Sequence, residues 1–141
     1  MTSVSTQTWL VHLSPSECAL HLGETSLGRL GVIVAGRPEL FPVSYVLDKQ
    51  GCVAFPTQPG TKLSSALDWP WVGFEIDGVD PTGDEGWSVM IVGKAEEIVD
   101  ENTVATLGAL RNVRWRNSGS ERWMRIRATK TTGRSIRASD R

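Results

Sequence analysis

The chain has 141 residues and a mass of 15.4 kDa, with 40% hydrophobic and 22% charged residues and a formal net charge of −1. That is one globular domain over residues 1–141, able to close a single core. No apolar run approaches the ~20 residues that a membrane-spanning helix needs, and two cysteines without a CxxC pair are too few for a disulfide scaffold.

The first residues, MTSVSTQTWLVHLSPSE, are polar and interrupted, without the basic and apolar stretches of a signal peptide, so a cytoplasmic location is expected. Ser14-Pro15-Ser16-Glu17 has the form of a capping box with proline at the first helical position. It predicts a short helix from Pro15 to Leu22, with Gly23 as its stop. Leu27 to Ala35 is β-branched and apolar; Ala35-Gly36-Arg37-Pro38 turns it into a second strand, Glu39 to Leu47, giving a hairpin. Asp48-Lys49-Gln50-Gly51 turns the chain again, into a strand from Cys52 to Phe55.

The stretch FPTQPGTKL, Phe55 to Leu63, reads as a strand end, a Pro-Gly turn and the start of a helix from Thr61 to Leu67. A helix start exposes unpaired N–H groups and the positive end of the helix dipole. Gly60-Thr61-Lys62 therefore offers amides, a hydroxyl and an ammonium to one anion, a phosphate seat. The alternative is an ordinary turn followed by a solvated lysine. Trp71 to Val79 alternates Val72, Phe74 and Ile76 against Gly73, Glu75 and Asp77, the period of a half-buried strand. DPTGDEG leads to a long strand, Trp87 to Val99, with a bulge or close backbone approach expected at Gly93. Asp100 caps a predicted helix from Glu101 to Leu110, and a loop through Asn117-Ser118-Gly119 leads to a closing strand, Arg122 to Thr129. Six strands with short helices favour a small, mainly β barrel over a parallel α/β sheet.

Charge is unevenly spread. Up to Leu110, five basic residues (Arg29, Arg37, Lys49, Lys62 and Lys94) stand against 14 carboxylates; from Arg111 onward, ten basic residues stand against Glu121 and Asp140. Such a tail either pairs with the acidic body of its own or a partner subunit, or forms a polyanion or phosphate site. Arg114-Trp115-Arg116 and Arg122-Trp123 set cations beside aromatic faces, as single-stranded nucleic-acid binders do, although a pI near 6.1 opposes that reading. Cys18 and His21 lie one helical turn apart, but no second pair with ligand spacing follows, so no metal site is expected.

In this order the segments resemble the pyridoxamine 5'-phosphate oxidase-related family of flavin-binding split β-barrels. The likeness runs from the Ser14 to Leu22 helix and GRLGVIV, through FPVSYV and FPTQPGTKL, to FEIDGVD, GWSVMIVGKAEEI and TTGRSI. It implies a six-stranded split barrel with short flanking helices, and a homodimer with flavin mononucleotide (FMN) sites at the subunit interface. Pro42, Val43 and Ser44 would lie along the isoalloxazine ring; Thr57, Thr61 and Lys62 would hold the phosphate. Trp87 and Ser88 would come from the other subunit, and Arg134 would make a phosphate or dimer contact. Many relatives carry an arginine before Thr57 that reaches the phosphate, where this chain has Pro56, which has no donor. Deazaflavin-dependent relatives share the fold, so that cofactor is an alternative. The histidine and arginine pattern of a true pyridoxamine 5'-phosphate oxidase is not recognisable, and no catalytic residue is assigned. The leading expectation is a flavin-dependent oxidoreductase of unknown substrate. A non-catalytic flavin or deazaflavin binder and, behind it, a single-stranded nucleic-acid binder are the alternatives.

Overall fold

Residues of alternating polarity carry most of the chain into one antiparallel sheet. A computed structural model describes residues 7–69, 71–111 and 120–139. The elements run β1 (Gln7–His12), α1 (Pro15–Glu24), β2 (Leu27–Val34), β3 (Arg37–Ser44), β4 (Val46–Leu47), β5 (Val53–Thr57), α2 (Lys62–Ala66), β6 (Trp71–Val79), β7 (Glu85–Glu97), α3 (Glu101–Ala109) and β8 (Arg122–Ser139). The strand order is β3-β2-β6-β7-β8-β5-β4, with β1 also paired to β8, and the sheet curls into a half-barrel. Among the described residues, no helix is long and apolar enough to cross a membrane.

The capping box forms as expected. Ser14 Oγ accepts from the Glu17 amide at 3.2 Å, and Glu17 Oε1 accepts from the Ser14 amide at 2.9 Å. The helix passes through Gly23 and ends at Glu24, where the Thr25 hydroxyl donates to the His21 carbonyl at 2.7 Å. Ala35 and Gly36, at φ 50° and 78°, make the tight hairpin turn, so β3 begins at Arg37. The expected strand to Leu47 breaks at Tyr45. This residue is buried, its hydroxyl donates to the Leu22 carbonyl at 2.7 Å, and its ring meets Phe74 edge-on at 5.1 Å.

The expected six strands become eight, because the strand expected from Glu39 to Leu47 splits into β3 and β4 and because an unforeseen strand, β1, joins an equally unforeseen extension of β8 beyond Thr129. β1 and this extension pair from Gln7↔Ser139 to His12↔Arg134, while the other edge of β8 pairs with β7. Polar residues and Gly133 blur the alternation there, and tertiary pairing on both edges makes the strand. At Gly93 the β7–β8 register shifts, as the sequence suggested; an added Cβ would collide with the Arg127 carbonyl oxygen.

The main core lies on the concave face: Leu30, Val32, Phe55, Phe74, Ile76, Val89, Ile91, Met124 and Ile126. A smaller cluster on the back of β5 and β8 joins Ala54, Ile98, Leu107 and Trp123, and holds α3 in place. Trp123 is therefore packing rather than a platform for a base. Most described arginines of the tail pair within the chain: Arg122 with Glu97 and Asp68, Arg125 with Asp48 and Glu96, Arg127 with Glu96, and Arg137 with Glu85. Arg114, Trp115 and Arg116 lie outside the described residues.

Candidate cofactor site

β3 and β5 stand near opposite ends of the strand order, and the curl of the sheet brings them to a common cleft. The end of β3, the end of β5 and the turn into α2 enclose a cavity of about 560 Å³, within the range usual for cofactor pockets. Pro42, Val43, Ser44, Thr57, Thr61 and Lys62 all line it. Six of the nine residues singled out from the sequence thus converge from three separate segments.

Their local chemistry differs from a bare phosphate cradle. Val43, Ser44 and Thr57 are buried, and the Thr57 hydroxyl donates to the Arg122 carbonyl at 3.3 Å. Gly60, at φ 80°, provides the sharp turn. Thr61 caps α2, accepting from the Ser64 amide at 3.2 Å and donating to the Gln58 carbonyl at 2.7 Å. Lys62 is not simply solvated, because its Nζ lies 3.0 and 3.3 Å from the two carboxylate oxygens of Glu39 on β3. Arg122 pins α2 from beneath, donating to the Ser64 carbonyl at 2.8 Å and the Asp68 carboxylate at 2.9 Å, while its Nε reaches Glu97 at 2.8 Å. These acceptors, Glu97 foremost, hold its guanidinium charged.

Two wall residues were missed as site residues. Arg111, just beyond α3, and Glu121, just before β8, both line the cavity. Arg111 Nε and Glu121 Oε1 are buried, and neither has a hydrogen-bond partner among the described residues. Burial lowers the Arg111 pKa, and the attraction of Glu121 opposes that shift. No local pattern announces either residue, since packing of α3 brings them there. Pro56 also lines the cavity and supplies no donor.

Trp87, Ser88 and Arg134 do not line this cavity. Trp87 stacks on His21, with ring centroids 3.8 Å apart and planes at 17°, and its ring covers Gly78. Ser88 is paired with Arg134 across β7 and β8. Arg134 is exposed and has no acidic partner among the described residues. A second cavity of about 380 Å³ lies between the Asp48–Gln50 turn and α3, but its arginine, Arg125, is already held by Asp48 at 3.0 Å.

A curled antiparallel half-barrel with a nucleotide-sized, cation-bearing cleft defines the split-barrel class of cofactor-binding domain. Residues 14–135 match the family model described as pyridoxamine 5'-phosphate oxidase, and the chain belongs to that family. An uncharacterised protein of Mycobacterium tuberculosis is 30% identical over 137 residues, covering 94% of this chain and 89% of the relative. The FAD binding protein of Mycobacterium smegmatis is 33% identical, with a TM-score of 0.76 over 90% of this chain and 98% of that one. An FAD-binding protein of Mesorhizobium loti, 22% identical, shares the fold at a TM-score of 0.75, covering 92% of this chain and 98% of that one.

Proposed function

We propose that the protein is a flavin-binding oxidoreductase that holds FMN in the 560 Å³ cavity. The observation that carries this reading is the convergence of Pro42–Ser44 with Thr57, Thr61 and Lys62 in one cleft of a family member. The ring would lie along β3 and the phosphate beside Thr57, Thr61 and Lys62. The cavity suits a phosphate-bearing ligand because it is lined by hydroxyl groups and two cations, Lys62 and Arg111, the latter with a buried Nε that lacks an acceptor among the described residues. When bound, a flavin supplies hydride-transfer chemistry, so the chain has to bind it, orient it and exclude water. No side chain is assigned as a catalytic acid or base.

The functional unit in this reading is a homodimer in which Trp87 and Ser88 of one subunit complete the site of the other, with Arg134 near the contact. Leu40, Trp71 and Met90 leave apolar surface exposed on the sheet for such an interface. FAD is a second reading, favoured by the 33% identity to the FAD binding protein of M. smegmatis.

The test is a spectrum of the purified protein before and after addition of FMN, FAD or a deazaflavin, with free ligand removed and subunit number measured by light scattering. Retained FMN on a dimer supports the reading; retention of FAD or deazaflavin alone replaces the cofactor. A loaded protein that neither accepts electrons from a nicotinamide donor nor passes them to an acceptor is a sequestering protein. Retention of none of the three would sink the flavin assignment.

A further inference from the structure

We propose that Arg111 is a phosphate-binding residue of the cavity, supplying from the end of α3 the guanidinium that Pro56 leaves out of β5, with Glu121 as the counter-ion that the ligand displaces. The proposal rests on the flavin reading above and goes beyond it to the residue that makes the site work in this chain.

The packing explains how a residue so distant in sequence takes that place. α3 sits on the back of β5 and β8 through Leu107, which packs with Ala54 and Trp123. Trp123 is the cross-strand partner of Pro56. Helical hydrogen bonding continues past α3, from the Leu110 amide to the Leu107 carbonyl at 3.1 Å and from the Arg111 amide to the Gly108 carbonyl at 3.4 Å. Arg111 is therefore one turn beyond Leu107, fixed against the segment that carries Pro56, and it lines the same cavity.

The second observation is the unmet demand at that position. A buried guanidinium N–H without an acceptor is unusual, because charged donors are costly to leave unsatisfied. Among the described residues Arg111 Nε is such a donor, and Arg111 lines a cavity shared with Thr57, Thr61 and Lys62. Glu121 lines the same wall, yet its buried Oε1 makes no hydrogen bond among the described residues. A phosphate oxygen would give Arg111 its missing acceptor in the charge-assisted geometry for which guanidinium is suited. Lys62 paired with Glu39, and Arg111 in the field of Glu121, leave the cleft close to electrical neutrality. Entry of a phosphate carrying about −1.5 to −2 charges then requires Lys62 to exchange Glu39 for the ligand and Glu121 to give way beside Arg111.

The experiment compares FMN with riboflavin, which lacks only the phosphate, by fluorescence titration of wild type, Arg111→Gln, Arg111→Gln with Pro56→Arg, and Glu121→Gln. Arg111→Gln should weaken FMN roughly ten- to hundredfold and leave riboflavin within about twofold. Pro56→Arg in that background should recover FMN selectively, and Glu121→Gln alone should tighten FMN but not riboflavin. Circular dichroism checks the fold, and the double variant Arg111→Ala/Glu121→Gln, which leaves no buried carboxylate unpaired, repeats the comparison if the single variant is unstable. Equal loss of both flavins, or unchanged FMN binding, overturns the proposal. If wild type binds neither flavin, the flavin reading fails on its own. Arg111 is then judged by inorganic phosphate: thermal stabilisation of wild type that Arg111→Gln abolishes upholds its role, and stabilisation that is absent or insensitive to the substitution overturns it.

Discussion

Lys62 and Glu39 hold each other at the cavity, and a ligand phosphate has to draw Lys62 away. The contact is 3.0 Å, but the two side chains remain 59% and 35% exposed. An ion pair so open to solvent contributes about 0–1 kcal/mol. A charge-assisted hydrogen bond from the same ammonium to a phosphate contributes about 1.5–3 kcal/mol. The exchange is thus favourable, and Glu39 subtracts at most about 1 kcal/mol from binding. Glu39→Gln is expected to tighten FMN up to about fivefold, and Lys62→Ala to weaken it by the net of the exchange, roughly two- to hundredfold, with riboflavin unchanged in both. Titration of flavin fluorescence at low and high salt is the assay, and the gain from Glu39→Gln should shrink as salt screens the exposed charge. Weaker FMN binding by Glu39→Gln, or equal loss of FMN and riboflavin in Lys62→Ala, would refute the exchange.

Gly93→Ala should destabilise the fold by about 1–3 kcal/mol in urea, because its Cβ meets backbone atoms of Arg127 and Ala128, whereas Gly108→Ala in α3, with open space around it, should stabilise by roughly 0.5–1 kcal/mol. Burial pushes the Tyr45 pKa up from 10.0 to about 12. The unfolded chain therefore gives up this proton first, so the stability that Tyr45 contributes is constant below pH 10 and falls between about pH 10 and 12; Tyr45→Phe should remove that part of the slope in alkaline denaturation curves. Arg122→Ala takes the shared donor from Ser64, Asp68 and Glu97, and should cost about 1–3 kcal/mol and speed amide exchange across α2, while unchanged exchange would mean that α2 is held by its apolar contacts alone.

What the sequence disclosed follows how local each cause is. α1 was legible because Ser14, Pro15 and Glu17 act within one turn. β6 was legible because Val72, Phe74 and Ile76 face one core in strict alternation. β1 and the end of β8 were not, since GRSIRAS has little alternation of its own and becomes a strand by lying between β7 and β1. The site divides in the same way. Pro42–Ser44 and Gly60–Lys62 sit in short segments whose order carried the family resemblance, whereas Glu39 lies 23 residues before the lysine it meets. Arg111 and Glu121 are placed by α3 against Ala54 and Trp123, and nothing near them in sequence foretells that contact.

The uneven charge of the chain resolves along the same line. A track for a nucleic-acid strand needs cations free to meet phosphates and exposed aromatic faces to meet bases. In the described part of β8, Arg122, Arg125, Arg127 and Arg137 are committed to carboxylates, and Trp123 is only 4% exposed. Among the described residues, four arginines of the tail thus bind the acidic body of their own domain, as one of the two readings of the charge pattern held. Within the cavity, what an anion meets is local: the Arg111 Nε, which has no acceptor among the described residues, beside a lysine whose exposed ion pair is readily exchanged. Two cations around one cavity suit a single phosphate group, whereas a polymer needs a row of them. Short oligonucleotides should therefore compete with FMN no better than inorganic phosphate does at equal phosphate concentration, and competition that strengthens with oligonucleotide length would return the tail to the polyanion reading.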